Sequence, residues 1–215
     1  MTTTARSLSR SALCLAASLL ALAAAGCGAR RLVPLDGVAA GDPHRPLVQK
    51  VAGALTLSVQ PQAWAGRPEG FEGTFLPLRI IVRNASPEEV TLRAQDQVLH
   101  DDRGNRWRAV PPEEAGRQFA EHIDTIRRPT ASVGATGPAP TTWRLGLGLR
   151  RERPPDLTEV LRLAFPEDPI PPDASREGFF YFPLPPDDWR RLQLTLAWSG
   201  GGFPLGHTTF EFAAR

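Results

Sequence analysis

The chain has 215 residues, with 25 Lys and Arg against 23 Asp and Glu, two Cys and one Met. This near-balance of charge removes the basis for nucleic-acid binding, which needs a basic excess. Two Cys and a single Met also exclude zinc fingers, disulfide-stapled scaffolds and Met-rich copper proteins. We therefore expect no nucleic-acid partner, no metal and no cofactor.

The first 26 residues are predicted to be an export signal. Arg6 and Arg10 precede an unbroken run of small and apolar residues at 11–25. That run is too short to span a bilayer comfortably but suits the apolar core of a signal peptide. Removal of these 26 residues from the 215 leaves 189, and it removes the whole formal excess of +2.

The leader ends in the sequence LAAAGC, residues 22–27, which resembles the lipobox of bacterial lipoproteins. Ala24 stands where that family most often has Leu. The resemblance implies that the Cys27 thiol receives a diacylglyceryl group, that cleavage occurs before Cys27, and that the new amine is acylated, for example with palmitate. Two or three chains would hold the protein firmly, because each buried methylene contributes about 0.8 kcal/mol.

The lipobox resemblance also implies a location and a partner. The membrane partner is reached through Cys27, and Gly28 rather than Asp after it points to the outer membrane, facing the periplasm. An ordinary secretory signal with a chance Cys is the alternative.

Residues 28–50 mix Gly, Pro, Ala and charge without a sustained period of 2 or 3.6. The pattern predicts that residues 27–50 form a lipidated N-terminus with a flexible tether, whose root-mean-square reach is about 25 Å. Residues 51–215 are predicted to form one domain, because their number suits a single core.

Alternation of apolar and polar residues predicts short strands in that domain. The pattern is clearest at residues 55–59, 76–82 and 192–198. Residues 97–100 and 106–110 flank an Asp-rich turn with Gly104 and are predicted to form a hairpin. Further short extended segments are predicted at residues 90–92, 178–182 and 208–212. Seven or more short strands with Pro- and Gly-rich turns are typical of an antiparallel sandwich.

Two helices are predicted to interrupt the strands. Residues 113–128 carry Phe119, Ile123 and Ile126 at helical spacing and are followed by Pro129. A shorter helix is predicted from Pro155 or Asp156 to about residue 164. We expect these helices to plug an end of the sandwich.

Two runs resemble immunoglobulin-like domains of bacterial lipoproteins and secreted proteins. In residues 75–110 an apolar strand ends in Asn and a small polar turn, and a second strand closes on an Asp-rich hairpin. In residues 178–185 an aromatic strand follows a Pro-rich turn, with Asp173 where these domains have Gly. The resemblance implies a mainly β, immunoglobulin-like antiparallel β-sandwich with one or two short inserted helices. It supplies no catalytic residues.

The segment at 130–153 is the candidate partner contact. Alternation with Arg and Gly predicts a strand with one bare face, which another backbone could approach closely. The apolar residues of that strand are Trp143, Leu145, Leu147 and Leu149. An internal strand or a packed loop is the alternative.

His100, Asp101 and Asp102 are the one group that suggests a hydrolase or a metal site. They lie at a strand end entering a hairpin, where Asp commonly caps turns, and this position favours a structural role. Five Trp, among them Trp64 and Trp107, could form a platform for sugars or peptides or could pack in the core.

The sequence therefore predicts a lipid-anchored protein of the bacterial cell envelope. Its domain is expected to be non-catalytic and to bind or support another envelope protein. The alternatives are a hydrolase using His100, Asp101 and Asp102, and a carrier of an apolar ligand, which needs a large cavity between the sheets and the helices.

Overall fold

The computed structural model describes residues 31–36, 38–40, 46–127, 155–186 and 188–214. In these ranges the chain forms ten strands, two α-helices and two short 3-10 turns. The strands are β1 (Leu32–Pro34), β2 (Val38–Ala40), β3 (Leu47–Ala52), β4 (Leu55–Gln60), β5 (Phe75–Asn84), β6 (Val98–Asp101), β7 (Arg106–Arg108), β8 (Ser175–Pro183), β9 (Arg191–Gly200) and β10 (Phe203–Ala214). The helices are α1 (Pro112–Arg127) and α2 (Thr158–Leu163).

The strands form two antiparallel sheets of five strands each. The first sheet has the order β1-β10-β9-β6-β7, and the second has the order β2-β3-β4-β5-β8. One hydrophobic cluster takes residues from both sheets, so the sheets face each other across a shared core. The expectation of a mainly β, antiparallel sandwich with two inserted helices is confirmed.

Strand alternation explains how each sheet gains an apolar inner face. In β5, Leu78, Ile80 and Val82 are fully buried, whereas Arg79 between them is half-buried. In β9, Leu192 and Leu194 are buried in the same core. Successive side chains of a strand point to opposite faces, so a spacing of two selects the core residues.

The two helices form where the sequence predicts them, but their place in the fold differs from the expectation. A second hydrophobic cluster joins Phe119 of α1 and Val160 of α2 to Phe179 and Tyr181 of β8. Phe180 and Phe182 of the same strand lie in the core between the sheets. The helices therefore cover the outer face of the second sheet instead of plugging an end, because β8 carries large apolar side chains on both faces.

Tyr181 fastens α2 to this outer face. Its hydroxyl donates a hydrogen bond to the carbonyl oxygen of Val160 at 2.7 Å. Burial raises the pKa of the Tyr181 phenol well above its ordinary value. The tyrosine thus stays neutral and keeps its proton for this bond.

Part of the segment expected to be a tether is built into the sandwich. β1 pairs with β10, β2 with β3, and β3 with β4. Lys50 on β3 forms an ion pair with Asp36 and donates to the carbonyl oxygen of Thr209 at 2.5 Å, which links the two sheets. The compact unit accordingly begins at Leu32. Three-residue strands are too short to show alternation, and their partners lie far away in the sequence.

The strand registers place two sets of turns at opposite ends of the sandwich. At the Leu32 end, Leu32 pairs with Ala214, and Asp101 pairs with Leu192 beside the β6–β7 turn. At the hairpin end lie the β3–β4 turn at Gly53, the loop 85–89 and the β9–β10 turn at 201–202. Hydrogen bonds from Ala85 to Ala54 (2.9 Å) and between Thr91 and Ser199 (2.8 and 3.0 Å) hold these three turns together.

Candidate functional site

The hairpin end contains an open cleft of ≈ 490 Å³. The lining comes from the three turns described above, so residues far apart in the sequence meet here. The lining residues are Ala52, Gly53, Ala54, Leu55, Ser86, Pro87, Glu88, Val90, Trp198, Leu205, Gly206 and His207. We call this space the hairpin-end cleft.

Two glycines let the apolar side chains of the cleft lie flat against the strands. A Cβ atom on Gly206 would lie 2.7 Å from Cζ2 of Trp198, and one on Gly200 would lie 2.7 Å from Cδ1 of Leu205. The register of β10 against β9 also shifts between Pro204 and Gly206. Such an irregularity re-aims the neighbouring side chains. Glycine at both positions therefore shapes the apolar wall.

The apolar wall is partly exposed to solvent. Leu205 is 49 % exposed, and Phe203, two residues earlier at the start of β10 and outside the cleft lining, is 75 % exposed. Trp198 is half-buried and packs against the core from the same hairpin. Several large apolar side chains grouped at one place on a folded domain are a mark of a binding surface.

An acidic lip lies beside this wall. Glu88 lines the cleft, and Glu88 and Glu89 are both exposed. The buried side chain of Asn84 holds the loop in place: its amide nitrogen donates to the carbonyl oxygen of Glu88 at 2.7 Å, and its amide oxygen accepts from the backbone of Ser86 at 2.9 Å. The turn that the sequence places at Asn84 thus positions Glu88 at the rim, with the exposed Glu89 next to it.

The structure does not bring His100, Asp101 and Asp102 together as a catalytic group. His100 is half-buried on β6, in register with Arg106 and Gln193. Asp101 is the next residue of the same strand and is buried, so the two side chains point to opposite faces. The described geometry gives the hydrolase alternative no support, because a relay needs side chains that converge.

Both aspartates are occupied by backbone groups of the turn. Asp101 accepts hydrogen bonds from the backbone nitrogens of Arg103 (2.9 Å) and Asn105 (2.8 Å) and from the Asn105 side chain (2.7 Å). Burial alone would raise the pKa of Asp101, but these hydrogen bonds outweigh it and lower the pKa below its ordinary value. Asp102 accepts from the backbone nitrogen of Arg190 at 3.1 Å, and this bond lowers its pKa. Both residues act as turn caps.

Two further clefts flank α2, and they are more heavily charged. One of ≈ 470 Å³ contains the ion pair of Arg79 with Glu177 (2.6 Å), and one of ≈ 550 Å³ includes Glu113 and Glu167 in its lining. All three clefts lie at the surface, and the space between the sheets is filled by the shared core. A carrier of an apolar ligand therefore gains no support from the described residues.

The structure describes two of the Trp residues proposed for a binding platform, but not the proposed lipid anchor or the candidate partner contact. Trp64 is buried in the cluster under the helices, and Trp107 packs against the core, so neither forms a platform. Cys27 and the candidate contact residues Trp143, Leu145, Leu147 and Leu149 lie outside the described residues.

The described part of the chain contains no group of three or more His, Cys, Asp or Glu that could hold a metal ion. None of its helices is long and apolar enough to cross a membrane.

Comparison of the chain with protein-family models, with curated proteins and with solved structures finds no significant match.

The hairpin-end cleft was not apparent from the sequence. Its residues come from four separate segments, and Trp198 looked like the last inward residue of an alternating strand. One local signal was present: Phe203 and Leu205 directly follow the sequence SGGG, where a turn exposes its neighbours.

Proposed function

We propose that this protein is a lipid-anchored protein of the bacterial cell envelope, and that its β-sandwich is a non-catalytic binding domain. The anchor rests on the basic start, the apolar run at 11–25 and the lipobox-like residues that end in Cys27. By the same resemblance the lipid is a diacylglyceryl thioether with an acylated amine. Gly28 favours the outer membrane, with the domain facing the periplasm.

We further infer that the domain is immunoglobulin-like. Four strands support this relationship: β5 pairs with β8 in one sheet, while β6 pairs with β9 in the other. The chain thus crosses between sheets from β5 to β6 and again from β8 to β9, and β10 follows β9 as a hairpin partner. Immunoglobulin-like domains link their two sheets in this interlocked manner. Such domains commonly bind partners through loops at one end.

The observation that carries the binding role is the exposed apolar group at the hairpin end. Phe203 and Leu205 remain exposed although nearly every other large apolar residue of the same two strands is buried or half-buried. Leaving apolar area in water forgoes about 25 cal/mol for each Å². A partner that covers this area would recover that free energy, which favours a binding function over catalysis.

The turn aspartates support the non-catalytic part of the proposal. The oxygens of Asp101 are engaged by three hydrogen bonds from the turn that it closes. A carboxylate used in this way has a lowered pKa and is a poor general base, since its basicity decreases with its pKa.

The anchor is tested by metabolic labelling with a fatty acid and by fractionation of membranes, on wild type and on Cys27→Ser. We expect label and membrane association in wild type and neither in the variant. A serine at this position cannot form the thioether, whereas the sandwich begins five residues later and should fold in both chains. Membrane association of the variant, together with an unlabelled wild type, would contradict the proposal.

A further inference from the structure

We propose that the hairpin-end cleft docks a basic segment of another envelope protein, one that carries an aliphatic or aromatic side chain, on the side of the domain that faces away from the bilayer. This inference rests on the proposed lipid anchor at Cys27. It names the orientation of the domain and the chemistry of its partner.

The chain between the proposed anchor and the sandwich is short. Only residues 28–31 separate Cys27 from Leu32, where β1 begins. Five residue steps span at most about 18 Å when fully extended. The strand β10 runs from the Leu32 end to the hairpin end over 12 residues, which corresponds to about 36 Å. The lipid therefore reaches the Leu32 end and falls well short of the hairpin end.

The segment that begins with β1 is fixed to both sheets. Leu32 pairs with Ala214, and the backbone nitrogen of Leu35 donates to the carbonyl oxygen of Glu211 at 2.9 Å. Asp36 accepts from the backbone nitrogen of Glu211 at 2.9 Å and forms the ion pair with Lys50 of the second sheet. The point at which the chain leaves the sandwich is consequently defined, and the Leu32 end is the end held at the bilayer.

The rim of the cleft is acidic, and an anionic lipid surface does not favour it. Glu88 lines the cleft, and Glu88 and Glu89 are both exposed. Anionic lipid repels carboxylates. The exposed charges at the Leu32 end are mixed, since Asp102 and Asp188 accompany Arg190 and Arg191, so charge alone does not select that end for the bilayer. The acidic rim and the short tether both argue against the bilayer as the occupant of the cleft.

The cleft itself indicates what its occupant is. Trp198 and Leu205 offer apolar surface that an aliphatic or aromatic side chain would cover, and the exposed Phe203 lies two residues before Leu205 on the same strand. The carboxylate of Glu88 at the rim complements a Lys or Arg next to that side chain. A second copy of the chain seated through the same cleft would bring two acidic lips together, so we commit to a basic segment of a different protein.

The test uses the full chain and two fluorescent peptides as probes. One peptide has Leu and Phe flanked by Lys, and the other has the same apolar residues flanked by Glu. Binding is followed by fluorescence anisotropy, with the protein in nanodiscs if it carries lipid and in buffer if it does not. We expect the Lys peptide to bind at least tenfold more tightly than the Glu peptide, and added salt to reduce that difference.

Matched variants assign the binding to the cleft. Leu205→Glu should weaken binding of the Lys peptide at least tenfold, and the double variant Glu88→Gln with Glu89→Gln should weaken it several-fold. Leu161→Glu is the control, because Leu161 is 48 % exposed on α2 and lies outside the cleft. Leu205→Ser serves as a milder cleft variant in case Leu205→Glu unfolds, which thermal unfolding would reveal.

Four results would overturn the docking site. Equal binding of both peptides removes the role of the acidic lip, and equal weakening by Leu161→Glu removes the role of the cleft. Binding of Cys27→Ser to phosphatidylethanolamine and phosphatidylglycerol vesicles that is lost in Leu205→Glu would make the bilayer the occupant. Self-association that is lost in Leu205→Glu would make it a second copy. A missing fatty-acid label would refute the anchor and the orientation, and the peptide results would still decide the cleft.

Discussion

Hairpin turns close both ends of the sandwich, but the two ends differ in their chemistry. One end satisfies its polar groups internally, and the other leaves apolar side chains exposed. At the Leu32 end the buried Asp101 engages the β6–β7 turn with three hydrogen bonds, so the turn satisfies its own polar groups. At the hairpin end Phe203 and Leu205 stand in water beside an acidic lip.

This contrast indicates which end of the domain contributes to stability and which end can bind a partner. A turn whose polar groups are internally satisfied contributes to folding and offers few free groups to a partner. A turn that leaves apolar area uncovered contributes little to folding and can gain free energy by association. Substitutions at the two ends should therefore have effects of different size and kind.

Among the substitutions in the turns at the two ends, Asp101→Ala at the Leu32 end is expected to have the largest effect on stability. The substitution leaves the backbone nitrogens of Arg103 and Asn105 without their acceptor, and we expect the free energy of unfolding to fall by about 3 kcal/mol. Chemical denaturation measures it. The adjacent Asp102→Ala is the control, since Asp102 is exposed and accepts fewer bonds from the protein; an equal loss in both variants would contradict the contrast.

A smaller loss is expected at the hairpin end from Gly206→Ala. The new Cβ would lie 2.7 Å from the Trp198 ring, so the ring must shift, at a cost of about 1–2 kcal/mol. Gly73→Ala is the control, because a Cβ there would meet no atom within 4 Å. Chemical denaturation followed by circular dichroism measures the stability of both variants. If the two variants were equally stable, the close packing of Trp198 on Gly206 would be disproved.

The change in stability with pH that Asp101 causes is expected to be smaller than the loss from Gly206→Ala. Because the pKa of Asp101 is lower in the folded state than in the unfolded state, its contribution is fully present above the unfolded value near 3.9. That contribution is lost as the pH falls through the folded pKa. The effect is modest, since burial opposes the hydrogen bonds that lower the pKa.

Unfolding measured from pH 6 down to pH 2 tests this dependence. Asp101→Asn should lose less stability than wild type over the same range, because it has no proton to gain at this position. A variant whose acid sensitivity equals that of wild type would show that other carboxylates set the dependence.

The smallest effect on stability is expected from Phe203→Ser and Leu205→Ser. Phe203 is 75 % exposed and Leu205 is 49 % exposed, so each substitution should change the free energy of unfolding by less than about 1 kcal/mol. Leu196→Ser on the neighbouring strand is the contrast: Leu196 is fully buried, and its loss should cost about 3 kcal/mol or more. A large loss from Leu205→Ser would mean that this residue stabilises the fold and is not held for a partner.

The sequence predicts the longer strands and both helices well, for a physical reason. In β5 and β9 the alternation extends over many residues, and burial of every second side chain is the cause of that pattern. Helix α1 likewise repeats its apolar residues at helical spacing. An amphipathic pattern tells which face is buried but not what covers it, so the outer face of β8 as the partner of the helices could not be foreseen.

The short strands and the hairpin-end cleft escape prediction because they depend on long-range pairing. The strand β1 has three residues and gains its place from β10, about 180 positions later in the chain. The cleft depends on Asn84, whose side chain ties its loop to the carbonyl oxygen of Ile170 at 3.0 Å. In the sequence Asn84 is simply a turn residue. Nothing local indicates that this turn would place an acidic rim beside Trp198.

The most direct test of the account is which end of the domain lies at the bilayer. The two cysteines of the chain are Cys14 in the leader and Cys27 at the anchor, so a cysteine introduced at Arg190 or at Phe203 gives a unique fluorescent label after processing. The lipidated protein is reconstituted in vesicles that contain lipids with nitroxide headgroups, which quench only nearby fluorophores. The account predicts strong quenching of the label at residue 190 and little at residue 203; equal quenching at both positions, or stronger quenching at residue 203, would contradict it.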